Sequence, residues 1–403
     1  MSSTSTDPRL SEPRRAPAKG LTLSWSDPRL RAIVWQVVII GLIAAGIWYL
    51  VDNTAANLEK ARIATGFDFL GRTAGIPVGE YLIPYDPAVN TYGRAFMVGV
   101  LNTLMVSVVG VVLTTLLGTF VGIASLSHNW LLSRLCHAYV EVMRDVPLLL
   151  HLLFWYAMLL TLPTVREAME LLPGMFLSNS GLRVPLLVWE PAHSWALLAF
   201  IAGWIGTYLA QRRARRMQNA TGERPRVWPV AVVAMLLVPL AVWLVLGAPF
   251  TMEMPVRSRF RFTGGGAITP EFMALMIGLV LYHSAFAAEI VRSGIQSVPS
   301  GQWEAAGALG LKRSVTLREI VLPQALRVII PPMTSTYLGV AKNSSLAVAI
   351  GYPDLVSIMN TTLNQTGQAI EGIALIMAVY LSISLSISLF MNWYNARIAL
   401  VER

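Results

Sequence analysis

Long apolar stretches alternate with polar segments along the whole chain, and these stretches determine the predicted architecture. Each holds roughly 20 residues with few or no charges, the length that a helix needs to cross the hydrocarbon core of a bilayer. About eight such stretches are present: Ala32 to Val51, Ala95 to Leu126, Val146 to Leu162, Trp195 to Ala210, Val227 to Gly247, Phe272 to Ile290, Pro332 to Ile350, and Ile373 to Trp393. The pattern predicts an all-α, polytopic membrane protein with about eight transmembrane helices.

The composition supports a membrane protein and argues against several other classes. Of the 403 residues, 55% are hydrophobic and only 13% are charged, whereas soluble domains carry about 25% charged residues. A single cysteine excludes a disulfide framework, and five scattered histidines have no metal-ligand spacing. We attribute the net charge of +9 to cytoplasmic loops rather than to nucleic-acid binding. The sequence therefore predicts no metal, no cofactor and no nucleic-acid partner.

The distribution of charge predicts that both termini lie in the cytoplasm. Basic residues concentrate in segments 14–31 and 212–226, whereas segments 52–86 and 167–190 carry most of the acidic residues between the early spans. Cytoplasmic loops are enriched in Lys and Arg, so this alternation fixes the orientation, and an even number of spans returns the C-terminus to the same side. The arginines of segment 257–261 are the exception, because this topology places them outside.

A polar, helix-prone segment, EAAGALGLKRSVTLREIVLPQA, interrupts the apolar runs between Glu304 and Ala325. We expect a helix that starts at Pro299 and Ser300, with the Ser300 hydroxyl as its cap, and that ends at Gly310. Small residues in this helix would let another surface approach closely. Thr316 and Glu319 fit a capping box for a second short helix that ends near Pro323.

Three motifs resemble a known family of transport proteins. The order Glu304-Ala305-Ala306, Leu309-Gly310 and Leu322-Pro323 resembles the EAA signature of permease subunits in binding-protein-dependent ATP-binding-cassette (ABC) importers. The stretch YVEVMRDVPLLLHLLFWY is similar to one in polar amino acid permeases, and LGVAKNSSLAVAIGYPDL is similar to one in the larger permease of general L-amino acid importers. The resemblance covers about 95–156 and 267–397.

The resemblance implies that the EAA loop docks a separate ATPase subunit. The residues implied in this coupling are Glu304, Ala305, Ala306, Gly307, Leu309, Gly310, Leu322 and Pro323. The chain itself has no G-x-x-x-x-G-K-[ST] phosphate loop, so it is not expected to hydrolyse ATP. The other implied partners are a second, related permease, a periplasmic amino-acid-binding protein, an amino acid substrate and membrane lipid.

The resemblance also implies a domain organisation around a core of five spans. The expected segments are a disordered cytoplasmic tail at 1–31, an extra transmembrane anchor at 32–51, a periplasmic segment at 52–94, the first part of the permease core at 95–162, an insertion with two extra transmembrane helices at 163–271, and the second part of the core at 272–403 with its EAA loop at 294–330. The extra spans surround the core.

Polar residues within the spans are candidates for the substrate path. A charged side chain near a helix centre costs about 2.5–3.5 kcal/mol on insertion scales, so it should be paired, line an aqueous path or snorkel. The candidates are Lys342, Asn343, Ser344, Ser345, Glu141, Arg144 and Glu289. Structural roles remain open for all of them, since Glu141 with Arg144, and Glu289 with Arg292, have the spacing of pairs within one helical turn.

Three classes of function are compatible with a polytopic membrane protein. A membrane enzyme would need a nucleophile and base or a metal cluster, and the sequence offers no catalytic residues of that kind. An ion-coupled secondary amino acid transporter would place carboxylates near mid-membrane, whereas the acidic residues here lie at span ends. We therefore expect a permease subunit of an ABC importer that moves L-amino acids into the cytoplasm across the inner membrane.

Overall fold

The structure, a computed structural model, describes residues 28–60, 65–222, 225–258 and 261–398, without the side chains of residues 28, 29, 55, 58 and 59. Most of the predicted tail, together with Arg224, Arg259 and Arg403, lies outside the described residues. The helices are α1 (Pro28–Lys60), α2 (Tyr92–Ser125), α3 (Trp130–Asp145), α4 (Leu148–Leu160), α5 (Pro191–Thr221), α6 (Trp228–Val232), α7 (Val238–Val245), α8 (Pro270–Gln296), α9 (Ser300–Ala308), α10 (Arg313–Thr316), α11 (Leu322–Asn343), α12 (Leu355–Thr366) and α13 (Ala369–Ile398).

The described residues divide into two compact units, with the boundary between Gly66 and Phe67. In the first unit, α1 carries an apolar stretch at Leu30–Thr54 that is long enough to cross a membrane and has none of its most apolar part buried. This helix contains the predicted anchor at 32–51 and extends beyond both of its ends.

The predicted number of membrane helices agrees with the structure. Six helices in the described residues are long and apolar enough to cross a membrane, and two bent helix pairs raise the number to eight if each pair is one span. One pair is α3 with α4, which meet at 102°. The bend lies at Val146 and Pro147, where the backbone is extended, because proline removes a donor and disfavours helix in the residue before it.

Helices α2 and α8 run parallel and approach each other closely at small residues. A Cβ added at Gly118 would lie 2.5 Å from Ala287 Cβ, and one added at Gly122 would lie 2.6 Å from the Ala288 carbonyl oxygen. Lipid supplies no hydrophobic drive for helix association, so close packing of small residues takes its place. This crossing forms the centre of the second unit.

The region after the EAA helix differs from the prediction. The chain is helical from Arg313 to Asn343 through a π-helical turn at Leu317–Val321. No helix ends at Pro323, because proline is tolerated in the first turn of α11 after the π-turn. The capping box is also wrong: Thr316 has helical backbone angles, and its hydroxyl donates to the Lys312 carbonyl at 3.3 Å.

The expected insertion contains two helical segments that pack on each other, α5 and the run from α6 through a π-helical turn (Val233–Leu237) to α7. It also contains short strands that the sequence analysis did not predict. These strands are β1 (Met169–Leu172), β2 (Met175–Ser178), β3 (Gly181–Val184), β4 (Leu186–Leu187), β5 (Met252–Glu253), β6 (Val256–Arg257), β7 (Phe262–Thr263) and β8 (Gly266–Ile268). All pairings are antiparallel, with the order β1-β2-β3-β8 in the largest sheet.

The segment between residues 67 and 91 packs as a cap on the N-terminal end of α2. Phe69 and Tyr85 are buried in its core with Ile358 of α12. The buried Asn102 side chain of α2 donates to the carbonyl oxygens of Glu80 and Pro353, each at 2.9 Å. One amide therefore joins α2, the cap and the loop before α12.

The glycine contacts of the core predict a selective loss of stability. Gly122→Ala should lower the thermal unfolding midpoint of the purified chain, because overpacking typically costs about 1–3 kcal/mol. Gly206→Ala in α5 is the matched control, since a Cβ there meets nothing within 4 Å and gains the same helix propensity. Fluorescence-monitored unfolding in detergent checks this, and equal midpoints for both variants would contradict the α2–α8 contact.

Candidate functional site

A cavity of about 510 Å³ lies beside α8, between α3 and α11. Its wall combines aromatic rings with charged and polar groups, which suits a ligand that has both apolar and charged parts. The lining residues are Arg144, Tyr282, His283, Phe286, Glu289, Ile290, Ser293, Pro332, Ser335, Thr336 and Asn343. Three of the predicted path residues, Arg144, Glu289 and Asn343, are therefore brought together here.

The two charged residues of this wall have different partners. The guanidinium of Arg144 lies 5.0 Å from the centre of the Phe286 ring, and the described residues give it no ion pair with Glu141. The expected Glu141–Arg144 pair is thus absent from the described structure, since the Arg144 side chain lies over Phe286 of α8 instead. The other expected pair is confirmed: Arg292 donates from Nε to Glu289 Oε2 at 2.9 Å and from a terminal nitrogen to Oε1.

His283 is a cavity residue that the sequence analysis missed. It is only 5% exposed, and its Nε2 lies 3.1 Å from Asn343 Nδ2. The two side chains therefore form one polar contact between α8 and α11 at the cavity wall. A Cβ added at Gly339 would lie 3.0 Å from His283 Cε1, so the absence of a side chain there makes room for the ring.

A second cavity of about 250 Å³ shares Arg144 and Glu289 with the first. Its wall also includes Glu141, His137 and Arg292. Glu141 therefore lies near the other charged candidates without pairing with Arg144. Four of the predicted path residues therefore line one or both of these cavities, namely Glu141, Arg144, Glu289 and Asn343.

The remaining path candidates do not join these cavities. Lys342 is exposed and belongs to the wall of neither cavity. Ser344 is fully buried and donates to the Ala341 carbonyl at 2.8 Å, and Ser345 donates to the Lys342 carbonyl at 2.8 Å. Both serine hydroxyls are thus bonded to their own helical turn.

The loop between Gly351 and Leu355 contains a fully buried carboxylate, Asp354, which the sequence analysis did not single out. Asp354 caps α12, because its Oδ1 accepts from the Ser357 N–H at 2.8 Å. Tyr380 of α13 donates to Oδ2 at 3.4 Å, and Thr103 of α2 accepts from the Leu355 N–H at 3.0 Å. An Asp immediately before an apolar helix is a helix-start signal that could have identified this residue.

Next to that loop, a cavity of about 240 Å³ lies between the cap, the start of α8 and α12. Glu80 lines it and accepts from the Thr269 N–H at 3.2 Å. Burial raises the pKa of the Glu80 carboxyl, because removal from water disfavours its charged form. The Glu80 side chain thus joins the cap to the residue before α8.

The EAA loop forms a short exposed helix with a sharp end. Helix α9 starts at Ser300 as expected, but its cap is Pro299 and the Ser300 hydroxyl makes no capping bond. Leu311 N–H donates to Ala306 at 3.1 Å and Gly310 N–H to Gly307 at 2.9 Å, which is a Schellman end with Gly310 at φ +69°.

The predicted coupling residues lie together around this helix. Ala306 is buried, and the partly buried Trp303 packs against the cluster that contains Val321 and Ala325, whereas the other residues of α9 are exposed. The exposed coupling residues are Glu304, Ala305, Gly307, Leu309, Gly310 and Leu322, with Pro323 partly buried. Leu309 is 78% exposed, so a large apolar side chain projects from this surface.

The comparisons with known proteins agree with the motifs. A family model described as "Binding-protein-dependent transport system inner membrane component" matches residues 114–400. The General L-amino acid transport system permease protein AapQ of Rhizobium johnstonii is 46% identical over 378 residues, covering 94% of each chain. The putative amino-acid ABC transporter permease protein YhdX of Escherichia coli is 47% identical over 396 residues, covering 97% of this chain and 99% of that one.

A third relative is more distant but also similar over almost its whole length. The Glutamate/glutamine/aspartate/asparagine transport system permease protein BztB of Rhodobacter capsulatus is 39% identical over 422 residues, covering 96% of this chain and 98% of that one. The similarity therefore extends to the cap, which precedes the segment matched by the family model.

Proposed function

The chain belongs to the binding-protein-dependent transport system inner membrane component family, and on this premise we propose that it forms part of the membrane pathway for L-amino acids in an ABC importer. The observation that carries the proposal is similarity over at least 94% of the chain to two amino acid permeases. As a permease subunit the protein is a transport component of the inner membrane, and ATP hydrolysis belongs to a separate subunit. The alternative of an ion-coupled secondary transporter finds no support in these relatives.

The proposed partners follow from the surfaces of the chain. The ATPase subunit docks on α9, where the exposed Leu309 side chain and the small residues around it permit close contact. The periplasmic binding protein delivers the amino acid at the opposite end, where the cap and the sheets lie. A second, related permease completes the pathway, and both termini of this chain lie in the cytoplasm.

The proposed substrate path runs through the two cavities beside α8. An amino acid that leaves water needs polar or charged groups in place of its hydration shell. Arg144 offers a guanidinium to the substrate carboxylate, while Asn343 and Glu289 offer an amide and a carboxylate on the same wall. Support for this assignment comes from three elements that each bring a polar group to one cavity.

Lys342 is also part of the proposed path, although it lies outside the walls of the two cavities. An exposed lysine in a membrane helix must face water, a partner or the lipid headgroups, and Lys342 has no ion-pair partner among the described residues. We assign it to the surface that meets the second permease, where its charge borders the path. Ser344 and Ser345 support the turn after Lys342 rather than the substrate.

The overall function is tested with the assembled transporter in proteoliposomes. Amino acid uptake should require ATP and the binding protein, stop with vanadate and persist when an uncoupler collapses ion gradients. Uptake that follows the ion gradient and ignores vanadate would instead establish a secondary transporter. The matched control is the same preparation without the ATPase subunit, which should transport nothing.

The substrate path is tested by removing individual charges. Arg144→Gln should reduce amino acid uptake about tenfold or more while assembly persists, because a hydrogen bond to a charged group contributes about 1.5–3 kcal/mol. Arg134→Gln, an exposed change on the same helix outside both cavities, should transport normally. Lys342→Met should also lower uptake, and normal rates for both Arg144→Gln and Lys342→Met would refute the path.

The coupling surface is tested at the end of α9. Gly310→Ala should weaken copurification of the ATPase, because a residue with a Cβ in the left-handed region costs about 1–2 kcal/mol and shifts the turn that presents Leu309. Gly301→Ala is the control, since neither position has an atom within 4 Å of an added Cβ and only Gly310 has a positive φ. If both variants bind and activate the ATPase equally, the shape of this turn does not determine docking.

A further inference from the structure

The inserted helices form a hairpin whose outer surface is not packed against protein. The most apolar window of α5 is 11% buried, and that of the segment Trp228–Val245 is 0% buried. In α5 the buried residues are Ala192, Thr207 and Ala214. Most of the surface of the hairpin is therefore exposed on this chain. The residues at its two ends indicate which kind of molecule covers that surface.

The side of α5 that faces the returning helix is fixed by a glycine contact. A Cβ added at Gly203 would lie 2.0 Å from the Ala234 carbonyl oxygen. Thr207 and Ala214 follow at intervals of 4 and 11 residues from Gly203 and are buried, so they lie on the same face. Near the C-terminal end of α5, Ala214 thus lies on the side that faces the returning helix.

Four arginines surround Ala214 on all other sides. At about 100° per residue, Arg213 and Arg215 lie roughly 100° to either side of Ala214, and Arg212 and Arg216 lie roughly 160° away. All four are exposed. We name this set, Arg212, Arg213, Arg215 and Arg216, the arginine collar.

No carboxylate neutralises the arginine collar within the described hairpin. Residues 191–222 and 225–245 contain no Asp or Glu, and Glu223 lies outside the described residues. Arg226, at the start of the returning segment, adds another exposed positive charge at the same end. The exposed positive charge is therefore free of internal carboxylates within the described hairpin and open to an anionic partner from outside it.

The position of the collar along the helix matches the boundary of the hydrocarbon. Arg212 follows Trp195 by 17 residues, which corresponds to about 26 Å of helix, and the hydrocarbon core is about 30 Å thick. Trp195 and Trp228 are both largely exposed, at opposite ends of the hairpin, as is typical of residues at the two interfaces. The collar thus lies at headgroup level.

We propose that the arginine collar binds the phosphate groups of anionic phospholipids. The planar guanidinium presents donors that match phosphate oxygens in pairs, and basic clusters next to a membrane helix attract anionic lipid. A protein partner would meet one face of the helix, whereas the collar covers every face except the one occupied by Ala214. Lipids surround a helix in that way.

Lipid bound at the arginine collar would hold one end of the hairpin, and the other end of the hairpin connects to the core through a sheet. Strand β3 precedes the hairpin, and strand β8, which pairs with β3, is followed directly by α8. The hairpin is therefore anchored at one end by the sheet and at the other by the headgroups.

The test measures lipid retention by the purified full-length chain. In detergent with equal amounts of phosphatidylglycerol and phosphatidylcholine of matched acyl chains, native mass spectrometry should show several-fold more phosphatidylglycerol bound. The quadruple change R212Q, R213Q, R215Q and R216Q should abolish most of this preference, and the corresponding four Arg→Lys changes should keep most of it. Wild-type protein without a preference, or a Gln variant that keeps it, would overturn the proposal.

Two further arms separate the proposal from its alternatives. If the quadruple Gln variant does not insert, Arg216→Gln alone should lower the preference, whereas Arg166→Gln, an exposed change outside the hairpin, should not. Inorganic phosphate in excess should displace little of the bound lipid, because headgroup and acyl chains bind together. Complete displacement of the bound lipid by phosphate would overturn the lipid site. So would substitutions in the collar that change only the binding of a second protein chain.

Discussion

The parallel contact of α2 and α8 at small residues is the constraint on which the rest of the core depends. Gly118 and Gly122 leave space that Ala287 and Ala288 fill, so the two backbones meet without long side chains between them. In a bilayer this packing replaces the hydrophobic effect as the source of helix association. Helix α8 is accordingly the most enclosed membrane helix of the described residues, with 67% of its apolar window buried.

That contact also determines which residues of α8 face the cavity. Ser284, Ala287 and Val291 are buried, and Ala287 and Val291 lie on the side toward α2. Phe286 and Glu289 point away from that side, at roughly 100° and 160° from Ala287, because successive residues turn by about 100°. His283 lies four residues before Ala287 and therefore at the edge of that side, roughly 40° from Ala287. Moving α8 relative to α2 would thus change the cavity wall, which links the packing of the core to the proposed path.

The spans were predictable from sequence because each depends on length and apolar composition alone. Local starts and stops were harder to predict, since they depend on backbone geometry. Thr316 has the residue type that a capping box requires, yet the helical segment already starts at Arg313 and includes Thr316. The strands were invisible for another reason: each spans only two to four residues, which is too short for an alternating pattern to stand out.

The candidate site was only partly predictable for a similar reason. Adjacent residues of a helix point about 100° apart, so Asn343 lines the cavity while Lys342 does not, although the sequence presents them as one cluster. Contacts between distant segments, such as Arg144 over Phe286 or Asn343 with His283, leave no local signal. A single histidine in an apolar helix carries no pattern that distinguishes it from a packed core residue.

The exposure of the charged groups connects the site to the proposed assembly. Arg144 and Lys342 are exposed on this chain, and a charge facing hydrocarbon would be costly. The proposed second permease, with the water of a proposed pathway, would suit these exposed charges, whereas lipid would not. The hairpin presents the opposite arrangement, since its exposed residues are apolar along the span and basic only at one end. One surface of the chain is thus suited to a protein partner and an aqueous path, and the other to the membrane.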